Sequence, residues 1–222
     1  MKRGHGMPFR KDSTWFYRYL SPPIREVLDA GPAAEKMLRA PRHAEVCVLF
    51  TDIRGFTEMS RTIGVEVLTE TVNFHIAEQA QSVEQFGGYV DNFTGDGLMA
   101  LFEGWQKEER ACQCALAIMD GAGQAPPTPS KARPVPLGVG LHAGHVVLAS
   151  LGCETWRTYT AIGRTVNVAA RLCDHAVRPA IITSEVVREQ VPEACSMAFD
   201  TLWGDAPRGV DQSLGLYQLR HS

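Results

Sequence analysis

Hydrophobic positions change their period several times along the chain, and each change predicts an element. Val46-Cys47-Val48-Leu49-Phe50 is a continuous β-prone apolar run, which reads as a buried strand ending at Asp52. From residue 65 to 86 the period lengthens: Val65, Leu68, Val72, Ile76, Ala80 and Val83 recur every three or four residues, predicting a long amphipathic helix stopped by Gly87-Gly88. Two short strands follow, Tyr89 to Phe93 and Leu98 to Phe102, joined as a tight hairpin through Thr94-Gly95-Asp96-Gly97. A second helix is expected over 107 to 122, then strands at Leu137 to Leu141 and Val146 to Leu151, and a helix from about Thr165 to His175. A strand-rich stretch closes the chain near Leu216-Tyr217-Gln218-Leu219. Strand, helix, strand, strand, helix, strand is the order of a ferredoxin-like βαββαβ sheet with helices on one face, an α+β fold with extra C-terminal strands.

Residues 1–44 follow a different pattern. A basic start leads into an aromatic cluster (Trp15, Phe16, Tyr17, Tyr19), then Ser21-Pro22-Pro23 opens a stretch with Ile24, Val27 and Leu28 at helical spacing. This is a helical arm, and 45–222 is the domain it precedes. Within that domain Ala125-Pro126-Pro127-Thr128-Pro129-Ser130 reads as a surface loop, because three prolines in four residues permit neither ladder nor helix.

Composition narrows the function classes. With 222 residues, 45% hydrophobic and 21% charged, the chain has material for one large core and is neither disordered nor collagen-like. The net charge of −3 lacks the positive excess that phosphate-backbone binding needs, so no nucleic-acid partner is expected. No window is long and apolar enough to span a bilayer, and the N-terminus has no apolar signal core, so the chain reads as cytoplasmic. The six cysteines show no metal spacing and read as small buried hydrophobes in a reducing compartment. His43, His75, His142 and His175 read as packing or surface residues.

Two groups of residues carry candidate chemistry. Asp52 ends the first strand and Asp96 sits in the hairpin, and a ferredoxin-like sheet places the first strand beside that hairpin, so both carboxylates can meet at one edge. Paired oxygen ligands suit Mg²⁺ or Mn²⁺, two of which can clamp an in-line displacement at phosphorus. The alternative is that Asp52 caps the next helix and Asp96 fills a turn. Asn167 and Arg171 are four residues apart, so they share one helix face and can approach a ribose oxygen and a polyphosphate together. The alternative there is a polar surface pair.

Four blocks in order resemble the class III nucleotidyl cyclases, the adenylate and guanylate cyclase catalytic domain family. They are F-T-D-I-R-G-F-T at 50–57, G-G-Y-V-D-N-F-T-G-D-G-L-M-A-L-F at 87–102, G-L-H-A-G at 140–144 and Y-T-A-I-G-R-T-V-N-V-A-A-R-L at 159–172. The resemblance implies that Asp52, Asp96 and the carbonyl of Ile53 hold two metal ions, that Phe50, Asn92 and Thr160 meet the substrate, that Asn167 orients the ribose, and that Arg171 stabilises the transition-state phosphate. It also implies a head-to-tail homodimer with two shared sites, each taking metals from one subunit and Asn167 and Arg171 from the other. The reaction implied is attack of the ribose 3′-hydroxyl of a nucleoside triphosphate on its α-phosphorus, giving a 3′,5′-cyclic nucleotide and pyrophosphate.

Adenylate cyclases of that family usually carry a lysine, and guanylate cyclases a glutamate, three residues before the hairpin glycine. This chain has Asn92 there, with Thr160 as the second base-reading position. Short, opening with methionine and without a recognisable sensor, it is similar to stand-alone bacterial cyclases, some of which make cyclic UMP or cyclic CMP as an antiphage alarm. The resemblance therefore leans to UTP or CTP, with ATP as the alternative and a non-catalytic dimerising module as another. His145 follows Gly144 where some members carry a phosphate-binding arginine.

Overall fold

The computed structural model describes residues 17, 19–124 and 130–222. Trp15 and Phe16 of the aromatic cluster, and the loop segment 125–129, lie outside the described residues.

Over residues 22–39 the arm is helical, as the spacing of Ile24, Val27 and Leu28 predicts. Helix α1 (Pro22–Ala30) starts on a proline, which suits a first turn whose N–H groups have no intrahelical acceptor. After a 3₁₀ turn (Pro32–Ala34) and helix α2 (Glu35–Arg39), strand β1 (Arg42–Ile53) begins.

β1 is the spine of the fold. Its alternation sends Cys47, Leu49 and Ile53 to one face, against helices α4 (Val65–Gln85) and α5 (Lys107–Ala122), and Val46 and Val48 to the other. The second face carries helix α6 (Arg164–His175), through Val166 and Ala169, and the arm, through Ile24 and Leu38. β1 pairs antiparallel with β3 (Leu98–Glu103), which pairs in turn with β2 (Tyr89–Phe93). On its other edge β1 pairs with β4 (Leu137–Gly152) over twelve residues, from Arg42↔Leu148 to Ile53↔Leu137. The spatial order β2-β3-β1-β4 is the expected ferredoxin-like core.

The strand expected to break between residues 141 and 146 is continuous. His142, Ala143, Gly144 and His145 each face a partner on β1; Ala143, opposite buried Cys47, is in the core, whereas His145, on the same face but opposite exposed Glu45, is in solvent. The interrupting histidines and glycine lower the apolar signal without removing the ladder. β5 (Arg157–Ile162) folds back along β4 as a hairpin. The closing stretch extends the sheet with β6 (Ala180–Ser184), β8 (Leu216–His221) and edge strand β7 (Met197–Thr201), and includes helix α7 (Glu185–Gln190).

Helix α4 has the expected span but a different buried row. Thr71, His75, Gln79 and Val83 are fully buried, whereas Leu68, Val72, Ile76 and Ala80 are half-buried and Val65 is exposed. The buried polar residues are bonded through part of their polar groups: Thr71 Oγ1 donates to the Val67 carbonyl (2.7 Å), His75 Nε2 lies 2.7 Å from the Arg133 carbonyl, and Gln79 Oε1 accepts from Thr51 (2.6 Å), while Gln79 Nε2 has no hydrogen-bond partner among the described residues. All six cysteines are free; Cys47, Cys112, Cys114 and Cys173 are buried as expected, Cys195 is half-buried, and Cys153 is exposed in the turn after β4.

Candidate active site

The register that pairs Phe50 with Met99, continued by two residues, sets Asp52 beside Gly97 at the hairpin. The backbones come so close here that a Cβ on Gly97 would stand 1.9 Å from the Thr51 carbonyl oxygen. The Thr51 side chain locks this approach. Its hydroxyl donates to Gln79 Oε1 of α4 and accepts the Leu98 N–H at 3.0 Å, joining strand, helix and hairpin at one buried oxygen. Asp96 is thereby held beside Asp52. Burial, then the neighbouring Asp52 charge, push the Asp96 carboxyl above its ordinary range.

Asp52 is ion-paired to Arg54, two residues on. It does not cap the next helix: α3 (Phe56–Thr62) begins after Gly55 with no side-chain cap. Two carboxylates set side by side favour a cation between them, and Arg54 already supplies one positive charge to the pair. The donor set is oxygen only: both aspartates, and from Ile53 the main-chain carbonyl, since its side chain is buried in the core. Among the described residues no cluster of three or more Asp, Glu, His or Cys forms. Two carboxylates therefore fit Mg²⁺ or Mn²⁺, ions that take their remaining ligands from water and substrate phosphates. Phe50 is half-buried on the same face as Asp52.

Asn167 and Arg171 stand on the solvent side of α6, whose buried side carries Thr165, Val168, Ala169, Leu172 and Cys173. Thr165 anchors the first turn by donating to the His145 carbonyl (2.8 Å). A Cβ at Gly140 of β4 would fall 2.2 Å from the Cys173 nitrogen and 2.3 Å from the Ala169 oxygen, so the helix backbone rests directly on the strand. Arg171 reaches Asp174 at 3.4 Å, an exposed pair of little energetic weight. No hydrogen bond or ion pair among the described residues joins Asn167 or Arg171 to Asp52 or Asp96. The chain thus holds the aspartate pair at the end of β1 and presents Asn167 and Arg171 on the solvent side of α6, with Arg54 reaching from Asp52 to Cys173 of that helix (3.7 Å).

The two expected base-reading positions, Asn92 and Thr160, lie on β2 and β5. Thr160 of β5 reaches across to β2, but its partner is Asp91: Thr160 Oγ1 donates to Asp91 Oδ2 at 2.5 Å, and the Ala161 N–H also donates to that carboxyl. Asn92 is exposed. The cause is a register irregularity between Val90 and Asn92, which leaves Asp91 out of the ladder and turns its side chain toward β5. Nothing in the sequence pattern marks that irregularity, so sequence reasoning does not bring Asp91 to Thr160. Of the remaining candidates, His142 Nδ1 lies 2.7 Å from Ser184 Oγ, and burial, with Arg164 nearby, pushes its imidazole down to about 4. His75 is buried; His43 and His175 are exposed.

Residues 38–202 match the adenylate and guanylate cyclase catalytic domain. Over 217 residues the chain is 26% identical to an adenylate cyclase of Anabaena cylindrica, covering 92% of this chain and 41% of that one. It is similar in structure to the adenylyl cyclase CyaB from P. aeruginosa, with a TM-score of 0.72 and 25% identity over 82% of this chain and 97% of that one. The fold also matches the guanylate cyclase domain of RhGC from Catenaria anguillulae, solved in complex with GTP (TM-score 0.73, 20% identity, 81% of this chain and 98% of that one). The chain spans less than half the length of the curated relatives it matches.

Proposed function

The chain belongs to the adenylate and guanylate cyclase catalytic domain family, and from that premise we propose that it is a metal-dependent nucleotidyl cyclase, a phosphorus-oxygen lyase that works as a homodimer with two shared sites. The observation that carries this reading is the division of the site into two edges: the Asp52–Asp96 pair at the end of β1, and the outward-facing Asn167 and Arg171 on α6. Neither edge can hold a triphosphate for reaction alone, and a head-to-tail partner brings the second edge of one chain to the first edge of the other.

In each shared site Asn167 orients the ribose, and Arg171 neutralises charge growing on the α-phosphoryl oxygens, where a guanidinium matches the planar spread of that charge. Phe50 packs against the substrate on the sheet side. The 3′-oxygen bonds to the α-phosphorus, the bond to pyrophosphate breaks, and the hydroxyl proton leaves to solvent. Mg²⁺ or Mn²⁺ held by Asp52, Asp96 and the Ile53 carbonyl would supply Lewis acidity to the attacking and leaving oxygens. Asn92 in place of a charged base-reading residue supports a pyrimidine triphosphate, UTP or CTP, ahead of ATP, with the cyclic product acting as a cytoplasmic second messenger in antiphage signalling. Residues 1–44 are the arm of this enzyme and 45–222 its catalytic domain. Among the described residues no helix is long and apolar enough to cross a membrane.

Complementation tests the shared site. Asp52→Ala and Arg171→Ala proteins should each be inactive with Mn²⁺ and a mixture of ATP, GTP, CTP and UTP. Mixing them should restore one intact site per heterodimer, giving about a quarter of wild-type turnover if subunits pair at random. Inactive mixtures despite demonstrated subunit exchange would refute the shared-site reading.

A further inference from the structure

We infer that Asp91 sets the hydrogen-bonding character that Thr160 offers a nucleobase, and that the substrate base is therefore one with an amino group at pyrimidine C4 or purine C6, cytosine or adenine, over uracil and guanine, which carry a keto oxygen there. The inference rests on the cyclase reading above, in which Thr160 faces the base. Within the pyrimidine reading it selects CTP.

A threonine hydroxyl has one proton and two lone pairs, and in most settings it rotates to suit its ligand. Thr160 lacks that freedom. Its oxygen lies 2.5 Å from Asp91 Oδ2, a contact made between residues 69 apart in sequence because β5 folds over to meet β2. An ionised carboxylate only accepts, so the Thr160 proton is committed to Asp91 and only lone pairs remain for a base. A second donor, the Ala161 N–H, holds the same carboxyl in place; burial raises its pKa and the Thr160 and Ala161 hydrogen bonds lower it, leaving it at about 6. Above that pH the carboxylate form dominates. Among the described residues the other ionisable groups around Asp91 are Tyr89 on its own strand, Tyr19 and Arg25 of the arm, Glu84 of α4, and Arg157 and Tyr159 of β5.

A hydroxyl that can only accept matches the 4-amino group of cytosine or the 6-amino group of adenine, and opposes the keto oxygen at the same place on uracil or guanine. Asp91 thus acts through Thr160 as a positioning residue. One unmade hydrogen bond in a partly buried site is worth on the order of 10- to 100-fold in discrimination.

The test is competition at pH 8 with Mn²⁺ and equal ATP, CTP, GTP and UTP, with each cyclic product quantified by mass spectrometry. Binding of the four α,β-methylene triphosphates is measured in parallel. Wild type should favour the amino member of each pair, CTP over UTP and ATP over GTP, by about tenfold or more. In Asp91→Asn the single amide oxygen stays with the Ala161 N–H, the amide N–H faces Thr160, and the hydroxyl is released to donate. The amino-to-keto ratio should then fall at least tenfold, a change of specificity that a merely structural role would not produce. Thr160→Val, which keeps the shape and removes the hydroxyl, should flatten the ratio toward one and serves if Asp91→Asn fails to fold. Wild-type preference for UTP over CTP and GTP over ATP, or a ratio unmoved within twofold in both variants, would overturn the inference while leaving the cyclase reading intact. Binding with amino preference but no cyclic product would support the inference and refute the cyclase reading, and absence of both binding and product would overturn both.

Discussion

Replacing Gly97 by alanine isolates the contact that holds the two aspartates together. The added methyl would sit 1.9 Å from the Thr51 oxygen, 2.6 Å from its carbonyl carbon and 3.1 Å from the Asp52 Cα, all backbone atoms of a central strand that cannot swing aside. The hairpin must move instead, by about 1 Å, and a misplacement of that size costs on the order of 100-fold in turnover. The same movement strains the Leu98 N–H bond to Thr51, and overpacking of this kind lowers stability by about 1–3 kcal/mol. Initial rates with the preferred triphosphate, and urea unfolding followed by circular dichroism, measure the two effects. Gly121→Ala in α5 is the control: nothing lies within 4 Å of its Cβ position, so it should gain up to about 1 kcal/mol from helix propensity and keep wild-type rates. A Gly97→Ala enzyme with turnover within twofold of wild type would refute the claim that this backbone approach sets the spacing of the site.

Thr51→Val should lower stability by roughly 2–4 kcal/mol, because it strands two buried groups, the Leu98 N–H and Gln79 Oε1, without changing side-chain shape; a loss below 1 kcal/mol in urea unfolding would contradict this. Arg171→Ala should reduce kcat far more than triphosphate binding, since the guanidinium acts mainly on charge that develops during reaction; equal losses in rate and in titrated affinity would argue for ground-state binding. The imidazole of His142, facing Ser184 of β6 and Arg164 of α6, is depressed to about 4, so between pH 6.5 and 4 the unfolded chain takes up a proton that the folded chain refuses. Its contribution to stability is complete above pH 6.5 and is lost as pH falls toward 4, and in His142→Gln the unfolding midpoint should depend less on pH over that window.

The element order was legible because it is written locally, in runs such as 46–50 and in the 65–85 period. Asp52 and Asp96 were legible as a pair for the same reason: a strand end and a hairpin next to it in the topology leave one arrangement. What escaped depends on partners distant in the chain. The buried row of α4 reads as polar, since the carbonyl of Arg133 and the hydroxyl of Thr51 that bond His75 and Gln79 Oε1 come from other elements. The unbroken β4 reads as two strands, since its middle is held by β1 rather than by its own residues. Asp91 was hidden by a single-residue irregularity, and an offset of one residue in a strand exchanges which side chain meets a neighbour.

The bare backbone contact of α6 on Gly140 has a counterpart in the hairpin's contact on Thr51. With no side chain between them to repack, neither helix nor hairpin has slack to slide along its strand. The chain is in effect a stiff frame, with Asp52, Asp96, Asn167 and Arg171 set at fixed positions on it. In the proposed homodimer, a signal that changes turnover is then expected to act on the angle between two such frames.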